Sequence, residues 1–468
     1  MHIIDFIIFG VYFSGVLAVG IYFYLKNESR EDYYVGGRSI SANHVGLSIV
    51  ATDVGGGFSI GLGGLGFTMG LSGSWLLFSG LLGAWLAAVF TVPRLKKMDM
   101  EQGMYTYPDF LERKFNKYVA LVAAMISGIG YLGFTSAQIL AGAKLAAGSF
   151  FQKVSFMDPL NFSLYVMAGI ILIYTVLGGI KAVIYTDTIQ WIVLLSGLVF
   201  LGIPFAIYEL GGWDAIQAQL PDGFLSLTNI SFSTFTNWLF TIVPIWFIAM
   251  TLYQRVFSCS NIKEAKKAFF IAGVFEYPIM AFMGVSLGMM GRIAFPDVDS
   301  EMALPMLLKD VLPIGVTGFV LASYFSAIMS TADSCLIASS GNFVNDLIEK
   351  HLAKNKSDTF IIRISQIVTL LIGLLAMILA GAFKSVLDII LHAYAFMVAG
   401  LFIPTLFAYF SKKPHALAAM LSMLGGGSTA VYFIASPATL PFNLDKSVPG
   451  ILASALIYIV VSFFNNRK

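Results

Sequence analysis

ATDVGGGFSIGLGGLGF, residues 51–67, decides how this chain folds. Seven of its seventeen residues are glycine, and its one ionisable side chain, Asp53, heads the run. The stretch is otherwise apolar and sits inside a segment (45–69) long enough to cross a bilayer. Glycine at that density weakens a continuous helix and leaves backbone carbonyls free. Two readings are open. One is a broken helix lining an internal cavity, the arrangement by which transporters coordinate sodium with freed carbonyls. The other is a close helix–helix seam, since Gly57 and Gly61 have the Gly-x-x-x-Gly spacing.

The rest of the chain places this segment in a membrane. Of 468 residues, 58% are hydrophobic and only 12% charged, and the mean hydropathy is +0.83. Apolar stretches of membrane length fall near 3–25, 45–69, 72–93, 118–148, 161–179, 183–209, 237–254, 268–291, 313–346, 360–382, 385–410, 416–434 and 449–464. They predict an all-α polytopic membrane protein of thirteen transmembrane helices. Strict alternation over about ten residues, which a barrel would need, is absent. The first span is too long for a cleaved leader and has no basic residue before it. Net charge is +2, so nothing suggests nucleic acid or another polyanion as partner. Cys259 and Cys335 lack the number and spacing for a disulfide framework or a zinc site. No nucleophile–base constellation or phosphate loop points to an enzyme.

Lysine and arginine set the orientation. With the N-terminus outside, the inner loops carry 22 of these residues, Arg255 among them, and the outer loops carry 5. That bias predicts a cytoplasmic C-terminus. The inner segment 94–117 reads as an interfacial helix beginning near Pro108. An acidic outer segment near 292–312 (Asp297, Asp299, Glu301, Asp310) is suited to a lid, and the outer loop near 210–236 to a short interfacial helix.

Ionisable groups at bilayer depth are expensive, so each is a functional candidate. They are Asp5, Asp53, Lys144, Asp187, Glu276, Asp333, Asp388 and His392. Asp5 and Asp388 lie near helix ends, where reaching water explains them. Lys144 can reach water or pair with a carboxylate, and Glu276 can pair with a base or face a vestibule. His392 reads as a packed core histidine. In FSAIMSTADSCLIASS (Phe325–Ser340), Ser326, Ser330, Asp333 and Ser334 lie near one helix face, with Thr331 adjoining. Hydroxyl, carboxylate and carbonyl oxygens are what a hard cation needs. In GGIKAVIYTDTIQ (Gly178–Gln190), Asp187 and Gln190 are one turn apart, fitting either a polar pathway or an interhelical hydrogen bond.

With these motifs in view, the sequence resembles the sodium:solute symporter family, which includes sodium/proline, sodium/glucose, sialic acid and choline transporters. The likeness spans DYYVGGRSI (32–40), ATDVGGGF, AGAKLAAG (141–148), GGIKAVIYTDTIQ, YQRVFS (253–258) with EAKKA (264–268), and SAIMSTADS (326–334). It implies a LeuT-like core of two inverted five-helix repeats: 1–43 an extra helix and inner loop, 44–209 the first repeat, 210–236 an outer loop, 237–410 the second repeat, and 411–468 two C-terminal helices. The broken helices are then expected near Gly55–Gly57 and near Trp246–Thr251. The implied function is sodium-coupled import of a small organic solute by alternating access, by a monomer in the plasma (inner) membrane. Carried across by motif, the principal sodium site falls on carbonyls of Ala51, Val54 and Ala327 and hydroxyls of Ser330 and Thr331. A second site falls on Asp187, Ser330, Asp333 and Ser334, although sialic acid members have Ser at the Asp333 position. Asp53 stands where sodium/proline members have a functionally important Asp, favouring an amine-bearing solute. VGGGF (Val54–Phe58) looks like the choline members, whose tryptophans at the Asp53 position and near Ala249 are missing here. Asp53, Gly55, Gly56, Tyr131, Phe134, Gln138, Trp246 and Tyr253 are the solute-binding candidates. The aromatics among them fit a packed or lipid-facing role as well. The competing functions are a sugar or monocarboxylate symporter, and a proton-coupled transporter or channel using Asp53, Asp187 and Asp333. A sensor would need a signalling domain that the sequence does not show.

Overall fold

The computed structural model describes residues 1–25, 35–152, 154–175, 180–352, 357–436 and 440–465. Residues 32–34 of the DYYVGGRSI motif, Gly178–Gly179, and Lys26, Arg30, Lys153, Lys354, Lys356, Arg467 and Lys468 lie outside them. Every one of the thirteen apolar stretches is helical over most of its described length. In chain order the helices are α1 Ile3–Leu25, α2 Ala42–Asp53, α3 Gly55–Met69, α4 Trp75–Phe90, α5 Val92–Gln102, α6 Tyr107–Lys114, α7 Lys117–Ser149, α8 Pro159–Thr175, α9 Ile180–Gly197, α10 Ile203–Glu209, α11 Trp213–Gln219, α12 Phe232–Ile242, α13 Met250–Ser258, α14 Ile262–Val274, α15 Ala281–Ala294, α16 Ser300–Val311, α17 Val316–Gly341, α18 Asp358–Ala382, α19 Val386–Phe410, α20 Ala416–Ala435 and α21 Ser447–Asn465. Among the described residues nine helices are long and apolar enough to cross a membrane, or ten when the bent pair α12/α13 counts as one.

Burial sorts these helices into a core and a rim. The apolar window of α17 is 94% buried and that of α7 78%, against 22% for α21. Small residues explain the difference. In α7 and α17, Gly, Ala and Ser recur along more than one face, so neighbouring backbones approach closely without a hydrophobic driving force from lipid. Helix α7 packs on α8, α17, α18 and α19, while α20 and α21 pack on each other and on α19.

Two spans are interrupted. Helix α2 ends at Asp53, and the chain passes into α3 through Gly55 at φ +46°, a backbone conformation that costs an L side chain dearly and glycine little. A Cβ on Gly55 would also overlap the Thr331 side chain of α17. The glycine run is therefore both a break and a close seam: its first member turns the chain, and its neighbours let α17 approach. The second interruption falls at Ile248–Ala249, between a 3-10 turn (Val243–Phe247) and α13, with a 43° bend. Both lie where the sequence places them.

Three local expectations change. The amphipathic helix α6 turns its apolar face into the protein: Tyr107, Phe110 and Leu111 are buried, and Phe110 stacks on Tyr409. A capping box of Thr106 and Asp109 starts it. Asp5 does not reach for water. It is 2% exposed and accepts from the amides of Gly315 (2.7 Å) and Gly318 (3.1 Å), capping α17. Lys96, counted with the inner loops, is 1% exposed and bonds Asp99 and the Phe257 carbonyl, each at 2.9 Å. The acidic segment near 292–312 forms a helix, α16. Helix α16 packs on α3 and α7. Its Glu301 accepts from Lys144 Nζ (2.7 Å) and from the Val386 and Leu387 amides that open α19.

Candidate functional site

The break between α2 and α3 faces the middle of α17. Thr331 Oγ1 lies 2.9 Å from the Ala51 carbonyl and 3.0 Å from the Ala327 carbonyl, donating toward both. Three of the five oxygens expected at the principal sodium site thus meet in one place. The hydroxyl belongs to a side chain with no exposure, and Ala51 and Ala327 are each 3% exposed. Val54 is likewise buried at the head of the break. Carbonyl and hydroxyl oxygens without a fixed negative charge suit a weakly bound monovalent cation. Ser330, the residue before Thr331, donates its hydroxyl to Asp187 Oδ1.

Around Asp187 the structure departs from the sequence reading. Arg255, assigned to an inner loop, is fully buried, and its Nη2 lies 3.3 Å from Asp187 Oδ2. The guanidinium also donates to Ser48 Oγ (3.0 Å), to the Thr251 carbonyl (3.2 Å) and to Thr52 Oγ1. Ser48 in turn donates to Asp187 Oδ2 at 2.5 Å. One cation therefore ties α2, α9 and α13 together next to both helix breaks. A single buried charge in this position would be prohibitive, and the pair satisfies each partner. Asp333 stands on the neighbouring face and accepts from Thr175 Oγ1. Ser334 Oγ is buried without a hydrogen-bond partner.

The solute candidates divide. Asp53 accepts from Tyr394 Oη at 3.3 Å. Phe58, Phe134 and Tyr394 pack their rings together at centroid distances of 5.4–6.4 Å. Gln138 Oε1 accepts from the Gly57 amide at 2.9 Å, and Tyr131 Oη contacts Thr251 Oγ1 at 3.0 Å, at the second break. Trp246 is buried with its Nε1 unpartnered. Gly55 and Gly56 face α17, where Cβ atoms would overlap Thr331 and Ile328, so both positions admit no side chain without moving α17. Tyr253 stands apart from this group: its hydroxyl bonds the Phe247 carbonyl and Tyr409 Oη, among the rings of Tyr107 and Phe110. Glu276 is fully buried and, among the described residues, pairs with no base; its carboxyl group meets that of Asp53. Sequence reasoning missed Tyr394, Phe58, Thr251 and Arg255. Only Arg255 carried a signal, as the one basic residue inside YQRVFS, a helix otherwise poor in charge.

Comparison with known proteins agrees with this architecture. The sodium:solute symporter family model matches residues 33–426. The high-affinity proline transporter PutP of Bacillus subtilis (strain 168) is 28% identical over 459 residues, covering 96% of this chain and 95% of that protein. The osmoregulated proline transporter OpuE of the same organism is 25% identical over 476 residues, 98% of this chain and 94% of its own length. A sodium/proline symporter of Staphylococcus aureus (strain JH9) is 26% identical over 480 residues, covering 98% of this chain and 92% of that protein. Among solved structures, a substrate-bound, outward-open Na+-coupled sialic acid symporter superposes with a TM-score of 0.77 at 20% identity, over 98% of this chain and 97% of its own. A nucleobase-cation-symport-1 family transporter in a closed conformation gives 0.62 at 13% identity, covering 93% of this chain and 95% of that one. These two establish the fold alone. The family-model match over most of the chain establishes the rest: this protein belongs to the sodium:solute symporter family.

Proposed function

We propose that the chain imports a small amine-bearing solute together with sodium by alternating access, with proline the first compound to test. The observation that carries this reading is the Thr331 hydroxyl seated between the Ala51 and Ala327 carbonyls at a helix break. Sodium there, held by the carbonyls of Ala51, Val54 and Ala327 and the hydroxyls of Ser330 and Thr331, would tie α2 to α17. That favours the state in which the solute site is formed, so ion and solute binding are positively coupled. Inward opening separates the two helices and releases the ion. The three relatives are named as proline transporters, which supports an amino acid as solute class. Asp53 beside Tyr394 supports recognition of a cationic nitrogen.

The second sodium site, on Asp187, Ser330, Asp333 and Ser334, has a complication. Arg255 already balances Asp187, so such a site draws its negative charge from Asp333. The proposed organisation is thirteen spans, with inverted repeats at 44–209 and 237–410, the N-terminus outside, and a monomer in the plasma membrane. A sugar or monocarboxylate symporter, or proton coupling, is the competing reading.

Purified protein in liposomes with an inward sodium gradient tests it. Uptake across amino acids, betaines, choline, sugars and monocarboxylates should require sodium and fail when choline or lithium replaces it at fixed pH. Ser330→Ala should raise the sodium concentration for half-maximal uptake about tenfold or more. Wild-type sodium dependence in that variant would overturn the site assignment.

A further inference from the structure

Glu276 is the buried acid that the proposed transport cycle leaves unused. It sits in the wide turn at Phe275–Met280 that joins α14 to α15 and has no exposed surface. Neither Oε1 nor Oε2 meets an N–H or O–H donor. The carboxyl groups of Asp53 and Glu276 are within hydrogen-bonding reach of each other. Gly80 of α4 makes the room, since a Cβ there would overlap Glu276 Oε2. One turn on, Gly83 likewise admits the indole of Trp246.

Two carboxyl groups in contact, both at least nine-tenths buried, cannot both stay ionised on their own: they share a proton or hold a positive charge between them. The surroundings do not supply that charge. Tyr394 gives Asp53 one long hydrogen bond of 3.3 Å and gives Glu276 none. Arg255, the nearby cation, is engaged by Asp187, Ser48, Thr52 and the Thr251 carbonyl. Tyr131 and Cys335 are the other titratable groups close to Asp53, and neither carries positive charge. Phe58, Phe134 and Tyr394 form an aromatic wall beside the acids, and a ring face attracts an organic cation. The buried, unpartnered indole Nε1 of Trp246 and amide Nε2 of Gln138 are further donors available to an anionic group on the same molecule.

We infer that Asp53 and Glu276 together bind the positively charged nitrogen of the solute, one N–H to each carboxylate, so that the carrier takes primary and secondary ammonium compounds and rejects quaternary ones. The inference rests on the solute-symporter reading and narrows its substrate class. The chemistry is specific because a secondary ammonium has two N–H groups, a tertiary one and a quaternary none. Each N–H replaced by methyl leaves a buried carboxylate oxygen without its partner, and a site built to accept such bonds discriminates strongly against the analogue lacking them.

The test uses the full-length protein and two methylation series. They are glycine, sarcosine, dimethylglycine and glycine betaine; and proline, N-methylproline and N,N-dimethylproline. Binding is read as sodium-dependent thermal stabilisation and as uptake in liposomes. Affinity should fall about tenfold or more for each N–H lost below two. Glu276→Gln should weaken the best-bound parent amine by about tenfold to a hundredfold and flatten its series. Stabilisation by sodium alone should persist, which shows that the variant is folded. Glu276→Asp, which keeps the charge, should lose less. Quaternary members binding as well as their parents would overturn the inference, as would unchanged amine affinity in Glu276→Gln. A loss of sodium affinity without loss of amine affinity would also overturn it, by placing Glu276 on the ion. Sodium-dependent binding of a sugar or monocarboxylate but of no amine sinks this inference and leaves the symporter reading intact. No sodium-dependent uptake of any compound sinks both.

Discussion

Asp187→Asn is the most informative single change in this protein. Asn keeps the side-chain shape and one oxygen to accept from either Ser330 or Ser48, which bond different carboxylate oxygens, so the substitution removes charge with little change in volume. Arg255 would then remain fully buried, with hydroxyls and one carbonyl as its only ligands. Removing one partner of a buried ion pair costs about 3–5 kcal/mol, because the other charge stays in a poor solvent. At 1.4 kcal/mol per factor of ten, that is about two to three and a half orders of magnitude in the unfolding equilibrium. Arg255→Gln should lose a similar amount by leaving Asp187 alone. The double variant removes both charges and should recover about 3 kcal/mol relative to the summed single losses. Reversible unfolding in mixed micelles with rising SDS measures all four proteins. Strictly additive losses, or a single variant as stable as wild type, would refute the claim that the pair locks α2, α9 and α13. Transport by the double variant then asks a separate question: whether the charge pair, once its stability role is removed, also matters for sodium.

Three further outcomes follow from the geometry. Thr331→Val keeps the branched shape and deletes the hydroxyl between Ala51 and Ala327; sodium affinity, read by thermal stabilisation, should fall about tenfold to a hundredfold, and an unchanged affinity would remove Thr331 from the site. Glu301→Gln takes the fixed charge from Lys144 and weakens the cap on α19. Solute bound in reconstituted protein should escape to the outside about tenfold faster or more, whereas wild-type release would mean that α16 is not a lid. Asp5→Ala should cost about 1–2 kcal/mol of stability through the lost α17 cap while sodium affinity stays within twofold; a change in affinity would contradict a purely structural role.

Much of the architecture was legible in the sequence because the bilayer imposes strict rules on it. Segments of about twenty apolar residues had to be helices, and they are. Glycine crowding at 55–57 marked a break because positive φ and close approach both demand that residue, and Gly55 has both. The oxygen-rich face of α17 was readable for a similar reason, since a turn of serine, threonine and aspartate is out of place in lipid unless it has partners. Pairing was not legible. Asp5 and Glu276 were recognised as ionisable groups within spans, whereas Lys96 and Arg255 were counted with the inner loops. Apart from Asp99, which joins Lys96 on α5, their partners lie on other helices, up to 313 positions away for Asp5 and Gly318, and no local pattern encodes such distances.

The same division holds for function. Composition showed a polytopic membrane protein and motif order showed the resemblance to the sodium:solute symporters, since apolar length, glycine breaks and hydroxyl clusters are properties of single segments. Tertiary structure alone decided which charges cancel. It set Arg255 on Asp187, taking that carboxylate out of the pool of free acids, and it brought Glu276 against Asp53, 223 positions earlier in the chain. Electrostatic energy depends on separation in space and on exclusion of water, and neither quantity exists until the helices have packed.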